Sequence, residues 1–229
     1  SSLTFTATST DDSSSSFTYA LSGTDASYFN LNSSTGVLTL KASPDYETKT
    51  SYAITLTTAD DAAIPKSYSE DFTISVTDVN EAPTFSVSSA TGSVAENADA
   101  STVIFTASAS DPDTSKSIVY SITGGDDASL VQIDSSTGEV VLREPADRET
   151  NPAIDFIVTA ADASNSALAS TQSVSVTVSE TNELPKAVDN SLIITENTTK
   201  TFSSADFGIS DPESDSLSKI KIVAIHESA

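Results

Sequence analysis

The sequence predicts an all-β protein: a linear array of Ig-like, seven-strand Greek-key β-sandwiches. Three observations carry that expectation. Apolar residues alternate with polar ones at a period of two, as in strands with one buried face. Landmarks recur at a fixed spacing of about a hundred residues, so the 229 residues hold two units and part of a third. No window carries a helical apolar stripe, and Ser, Thr and Val dominate.

In chain order, Phe17, Tyr19 and Leu21 form the first clear alternation, matched by Ile118, Tyr120 and Ile122. Next comes a turn, Leu31-Asn-Ser-Ser-Thr-Gly36, which recurs as Ile133-Asp-Ser-Ser-Thr-Gly138. Its glycines are free to take positive φ. Tyr52, Ile54 and Leu56 match Ile154, Phe156 and Val158, and Phe72, Ile74 and Val76 match Val174, Val176 and Val178. Proline-bearing acidic segments, Asp78-Val-Asn-Glu-Ala-Pro83 and Glu180-Thr-Asn-Glu-Leu-Pro185, follow the last strands and stop the ladder. The expected domains are therefore 1–82, lacking its first strand, 83–185, complete with seven strands between Thr84 and Glu180, and 186–229, the N-terminal part of a third. A sandwich missing strands leaves open edges and uncovers residues such as Ile220 and Ile222, so the ends are expected first to be those of a fragment cut from a longer chain, with a disordered edge or completion by a strand from another copy as the alternatives.

Charge narrows the function. Ten basic and 33 acidic side chains give a net charge of -23 and a pI near 4.1. Such a surface repels polyanions, which excludes nucleic acid as a partner, and attracts cations. The absence of cysteine excludes a disulfide scaffold. No apolar run is long enough to span a bilayer, so no membrane insertion is expected. The start at Ser1, without a signal peptide, fits a processed product or a fragment. Enzyme chemistry has few side chains to use. The one histidine, His226, leaves a Ser-His-Asp site without a good base, and Thr123-Gly-Gly-Asp-Asp127 reads as a β-turn. Asn32 begins a glycosylation sequon but reads as serving the adjacent turn, and Asn197 begins a second sequon.

The carboxylates are gathered in short motifs: Glu96, Asp111 with Asp113, Asp147 with Glu149, Asp162, then Glu180 and Glu183. Calcium takes about six to eight oxygen ligands, and no single motif supplies them. All fall at strand ends, where sandwich loops converge. Like charges about 4 Å apart cost roughly 1 to 4 kcal/mol per pair at partly exposed sites, so such crowding is tolerable when a counter-ion is expected.

Ala95-Glu96-Asn97, Asp111-Pro-Asp113, Asp147-Arg-Glu149, Ala161-Asp162 and Asp78-Val-Asn80-Glu81-Ala-Pro83 resemble, in the family's own order within a repeat, the motifs of tandem cadherin-type repeats, of the sort found in long bacterial surface adhesins. The resemblance covers essentially the whole chain. It implies calcium, Ca2+, between successive domains. Carried over, a first junction uses Asp45 and Glu47, linker residues Asp78, Asn80 and Glu81, then Asp111, Asp113 and Asp162. A second uses Glu96, Asp147 and Glu149, linker residues Glu180, Asn182 and Glu183, then Asp211 and Glu213. The linkers depart from the family: Asn-Glu-x-Pro is one residue shorter than the animal Asn-Asp-Asn-x-Pro form. Repeat one has Asp11-Asp12-Ser13 where Asp-x-Asp is expected. Glu180 and Glu213 stand where Asp is expected, which implies fewer or looser ions at the second junction.

The function implied is a calcium-rigidified extracellular spacer or adhesion module of a large secreted or cell-surface adhesin. Its partners would be neighbouring repeats of the same chain, other copies in a filament, or cell-surface ligands. An alternative is a carbohydrate-binding accessory module, including one attached to a secreted hydrolase. Tyr28, Tyr46 and Tyr68 are dispersed and have no aromatic counterparts in repeat two, which favours the scaffold.

Overall fold

The computed structural model describes residues 4–6 (as backbone), 16–61, 64–113, 117–188, 191–216 and 218–219. The motif Asp11-Asp12-Ser13, Ile220, Ile222 and His226 lie outside the described residues. The chain divides into two compact units, Ser1–Glu81 with Pro112–Thr114, and Ala82–Asp111 with Ser115–Ala229.

In the first unit the alternating segments form β1 (Thr4–Thr6), β2 (Phe17–Ser22), β3 (Phe29–Leu31), β4 (Val37–Leu40), β5 (Ser51–Asp60) and β6 (Ser67–Ser75). They make two antiparallel sheets, ordered β1-β4-β3 and β2-β5-β6. The inward residues Phe29, Leu38, Tyr52 and Ile54 form the core, with Leu21, Leu40, Phe72 and Ile74 packed against them. Burial follows the period of two along β5, where Tyr52, Ile54 and Leu56 are buried.

The second unit holds β7 (Thr84–Phe85), β8 (Ser89–Ala95), β9 (Val103–Thr106), β10 (Ala109–Ser110), β11 (Ile118–Gly124), β12 (Val131–Ile133), β13 (Glu139–Leu142), β14 (Ala153–Asp162) and β15 (Asn165–Ser179). The seven expected strands are present, with the first split into β7 and β8 and the second into β9 and β10. The splits are physical. Bends at 86–88 carry the first strand from β10, which pairs β7, to β15, which pairs β8. At the second break the Ala107 N–H leaves the β9–β10 line to donate to the Gly138 carbonyl, 2.9 Å. The main sheet runs β11-β14-β15-β8, antiparallel except for β8, which lies parallel to β15. That added strand deepens the core. Val174, Val176 and Val178 are 0–3% exposed, whereas their counterparts Phe72, Ile74 and Val76 on the first unit's last strand and the residue after it are only half-buried. The third repeat begins as the second does, with β16 (Lys186–Ala187) pairing β17 (Ile209–Ser210), as β7 pairs β10.

Turn chemistry repeats with the strands. Gly36 and Gly138 have φ of 72° and 74°, and Asn32 and Asp134 cap their turns by accepting from Ser34 and Thr35 and from Ser136 and Thr137. A second glycine pair, Gly23 and Gly125, also has positive φ, 102° and 98°. Each precedes an aspartate that reaches across to a strand: Asp25 accepts from the Ala53 N–H at 2.7 Å, and Asp127 from the Asp155 N–H at 2.9 Å. In the first unit Lys49 adds an ion pair to the buried Asp25, at 2.9 Å.

Candidate functional site

The acidic residues come together because turns and linkers, released from the ladders, fall at one end of each unit. In the first unit, Asp45 opens a turn closed by the Lys49 N–H donating to its carbonyl, 2.9 Å. The Asp45 carboxylate accepts from the Thr48 N–H at 3.1 Å and hydroxyl at 2.9 Å. These bonds, the hydroxyl's first, hold its carboxyl below the usual range. Asp45 is thereby a turn cap, and the turn sets Glu47. After β6 the extended linker brings Asp78 and Glu81, and the Glu81 N–H donates to Asp113 Oδ2 at 2.9 Å. Carboxylate oxygens of Glu47, Asp78, Glu81 and Asp113 then all lie within 4.8 Å of one another. Desolvation, and then the charges of Glu47, Asp113, Asp78 and Asp45, push the Glu81 carboxyl above its ordinary value. Asn80 sits in the same linker with both amide side-chain atoms buried and no hydrogen-bond partner for either.

The second unit repeats the design. Asp147 is capped by the Thr150 N–H at 3.0 Å and hydroxyl at 2.9 Å. Glu96, 3% exposed, follows β8, and one of its oxygens accepts from the Thr181 N–H. Its other oxygen is buried without a hydrogen-bond partner. Carboxylate oxygens of Glu96, Glu149 and Glu180 lie within 4.8 Å of one another. Desolvation, and the charges of Glu96, Glu180 and Asp147, push the Glu149 carboxyl up. The Glu183 N–H donates to Glu213 Oε1 at 2.7 Å, the bond that Glu81 makes with Asp113, so a glutamate serves at that position. Glu213 Oε2 is buried without a hydrogen-bond partner.

Of the expected first set, then, Glu47, Asp78, Glu81 and Asp113 form one cluster, with Asp45 capping the adjoining turn and Asn80 in the linker. Asp111 and Asp162 belong to the second unit. Asp111 directly follows β10, and Asp162, 1% exposed, ends β14. Its Oδ1 accepts from the Ser164 and Asn165 N–H groups at 2.6 and 2.9 Å. Of the second set, Glu96, Glu149 and Glu180 cluster. Asp211 closes a turn by accepting from the Asp215 N–H at 3.1 Å, and the exposed Asn182 donates to the Glu183 carbonyl at 3.2 Å.

Three participants were given no role by the sequence, although two of them lie within its motifs. Arg148 donates to and pairs with Glu180, Asn97 donates to Glu183 Oε1 at 2.5 Å, and Lys186 lines the cleft that holds Asp147 and Glu149. The repeat itself carried the signal for the cations, since Arg148 and Lys186 stand 102 residues after Tyr46 and Thr84. The donors fit a hard divalent cation. They are carboxylate and amide oxygens, crowded enough to shift two carboxyl groups, and they include buried oxygens with no partner in the protein. Tyr28 does not stand alone: its ring meets the buried Tyr52 edge-on at 5.3 Å, with Lys49 near both.

Sandwich and site together define a class, the tandem β-sandwich repeat with acid-bearing linkers. Within it the chain belongs to the cadherin family, whose Cadherin domain matches residues 1–77 and 90–179. Protocadherin-23 of Homo sapiens is 34% identical over 166 residues, covering 71% of this chain and 5% of that protein. Protocadherin Fat 1 of Homo sapiens is 30% identical over 204 residues, covering 86% of this chain and 4% of that protein. The chain thus spans about a twentieth or less of the length of these curated relatives. Among solved structures, protocadherin Gamma B2 extracellular cadherin domains 3-6 is similar at 28% identity and a TM-score of 0.58, covering 78% of this chain and 45% of that one. No helix among the described residues is long and apolar enough to cross a membrane.

Proposed function

We propose that the chain is a calcium-stiffened stretch of cadherin repeats, spanning 1–82, 83–185 and 186–229, in a larger extracellular adhesion protein. The observation that carries this is the crowding of Glu47, Asp78, Glu81 and Asp113, whose carboxylates share one small volume. In this reading Asp45, Glu47, Asp78, Asn80, Glu81, Asp111, Asp113 and Asp162 serve the first linker. Glu96, Asp147, Glu149, Glu180, Asn182, Glu183, Asp211 and Glu213 serve the second. When bound, calcium supplies positive charge that the carboxylates lack. The protein's part is to fix the donors: Thr48 and Thr150 orient the turns, and the Glu81 and Glu183 N–H groups tie each linker to an acid of the following repeat. A linker held at several points loses its freedom to swing, which suits a spacer or adhesion module, with neighbouring repeats, other copies or surface ligands as partners. Relatives titled cadherin and protocadherin support adhesion over catalysis.

The test is to add calcium to chelator-treated protein while following melting and small-angle scattering. Binding to the folded form alone adds roughly 2.7 kcal/mol at a hundredfold excess over Kd. The melting temperature should rise and the particle become more extended and less variable. Asp111→Ala should reduce the calcium effect without lowering the stability of the metal-free repeat core. Identical melting and dimensions with calcium and with chelator would refute the reading.

A further inference from the structure

We propose that the first repeat carries a ligand site apart from the acidic centres: a cleft around Tyr28 and Lys41 that takes a sugar with one carboxylate, at the end of an otherwise neutral glycan. The proposal goes beyond the calcium reading and does not rest on it. The cleft measures about 430 Å³, a size that suits a small ligand, and its walls include Tyr28, Leu40, Lys41, Ser43, Lys49 and Tyr52. All of these belong to the first unit. Tyr28 is the platform. It is 49% exposed, yet its backbone is fixed on both sides. Its N–H donates to the Asp25 carbonyl at 3.1 Å, and the Lys41 N–H donates to its own carbonyl at 2.9 Å. The buried Tyr52 meets the ring edge-on at 5.3 Å. An exposed aromatic ring held this way has an apolar body and a wet rim, which matches the C–H face of a pyranose.

The charges select the ligand. Lys49 Nζ lies 5.6 and 5.4 Å from the ring centres of Tyr28 and Tyr52, but its charge is paired with Asp25. Lys41 is different. Its Nζ donates to the Ser27 carbonyl at 2.7 Å, a neutral acceptor, and among the described residues no carboxylate pairs with it. An ammonium has three donors, so Lys41 keeps two for a carboxylate seated beside Tyr28. Ser27 and Ser43 also line the cleft and offer hydroxyl partners to a sugar. Asp45 lines it too, and the chain carries a net charge of -23. Those charges repel a run of anions, so a single carboxylate fits where a polyanion does not. The second repeat shows the same position without the site. Leu130, Glu144 and Asn151 stand there in place of Tyr28, Ala42 and Lys49. Arg143, in the place of Lys41, likewise donates to a backbone carbonyl, that of Val131 at 2.9 Å. A base at this position thus serves the fold in both repeats, while the ring beside it and the lack of an adjoining acid are peculiar to the first.

Amide chemical shifts of the full chain, titrated with methyl glucuronide and with methyl glucoside in the presence of chelator, test this. Shifts should gather around Tyr28, Lys41 and Lys49 and spare Leu130, Arg143 and Asn151. The glucuronide should bind up to about fivefold more tightly than the glucoside, the ratio that an exposed ion pair supplies. Lys41→Gln should remove that preference and leave the glucoside's affinity unchanged. Tyr28→Leu, which installs the second repeat's residue, should lose both glycosides, and Tyr28→Phe should keep them. Urea unfolding of each variant checks that the repeat still folds. No shifts with either glycoside, equal affinity for the two, a preference that survives in Lys41→Gln, or unchanged binding in folded Tyr28→Leu would overturn the proposal. Tighter binding of benzoate or of a polyuronate chain than of the glucuronide would overturn the ligand class and the proposal with it. The titration is repeated with calcium, and a preference seen only then would show the ion, rather than Lys41, holding the carboxylate, which also overturns it. The calcium reading is tested separately by melting and scattering, so either can fail alone.

Discussion

Val176→Ala measures what the parallel strand contributes to the second repeat. Val176 is 0% exposed, lies opposite Ile154 on one side and Gly92 on the other, and belongs to the main core. A Cβ placed on Gly92 would lie 3.3 Å from a Val176 methyl, so the glycine leaves room for the valine. Two lost methyl groups at about 0.8 kcal/mol each give roughly 1.6 kcal/mol of transfer free energy. A residual cavity of some 30 Å³ adds about 0.7 kcal/mol, for a total near 2.3 kcal/mol. Urea unfolding of the parent and the variant side by side, followed by tyrosine fluorescence to which Tyr120 is this repeat's one contributor, reads the difference. With a slope of about 2 kcal/mol per molar, the midpoint should fall by roughly 1 M. Thr177→Ala, on the exposed face, should shift stability by no more than about 0.5 kcal/mol. Equal shifts for the two variants would refute the placement of β15 in the core.

Gly125→Ala should destabilise the second repeat by more than about 2 kcal/mol in the same urea assay, because φ is +98° and the new Cβ would lie 2.3 Å from Phe156 Cα. Gly23→Ala, with 3.0 Å contacts, should cost the first repeat less. The Ala53 N–H first, and then the Lys49 ammonium, hold the Asp25 carboxyl below its ordinary value. Its contribution is therefore present above the unfolded value near 3.9 and lost as pH falls through the lower folded one. Acid unfolding of the parent should show that loss and Asp25→Asn should lack it, with an unchanged acid profile as the refuting result.

The sequence made strands and turns legible because each depends on neighbours along the chain. The alternation of Phe72, Ile74 and Val76 against Val174, Val176 and Val178 needs only the period of two. What alternation could not show is that β8 crosses to lie parallel to β15, since that depends on bends at 86–88 rather than on side-chain pattern. The clustered acids were legible as members of short motifs, but what each one touches was not. Asp45 and Asp147 read as ligands in sequence, and the fold shows a further role that the motif does not reveal, each accepting from a threonine one turn away. Arg148 and Asn97 act through side chains that meet residues 32 and 86 positions distant, distances at which only the fold decides contact. Gly23 with Asp25, and Gly125 with Asp127, formed a readable pair at the repeat spacing, and their cross-strand bonds explain it.

The parallel pairing of β8 with β15 also sets how the second repeat answers a pull. Seven residue pairs, from Ser173 opposite Ser89 to Ser179 opposite Ala95, join the first and last strands, and both strands run the same way. Tension applied through the chain on either side of the repeat therefore tries to slide one strand along the other. In that geometry the hydrogen bonds are loaded together in shear, whereas an antiparallel hairpin pulled from its open end yields one rung at a time. A repeat whose entering and leaving strands share such a ladder resists extension until many bonds fail at once, a useful property for a link in a chain under tension.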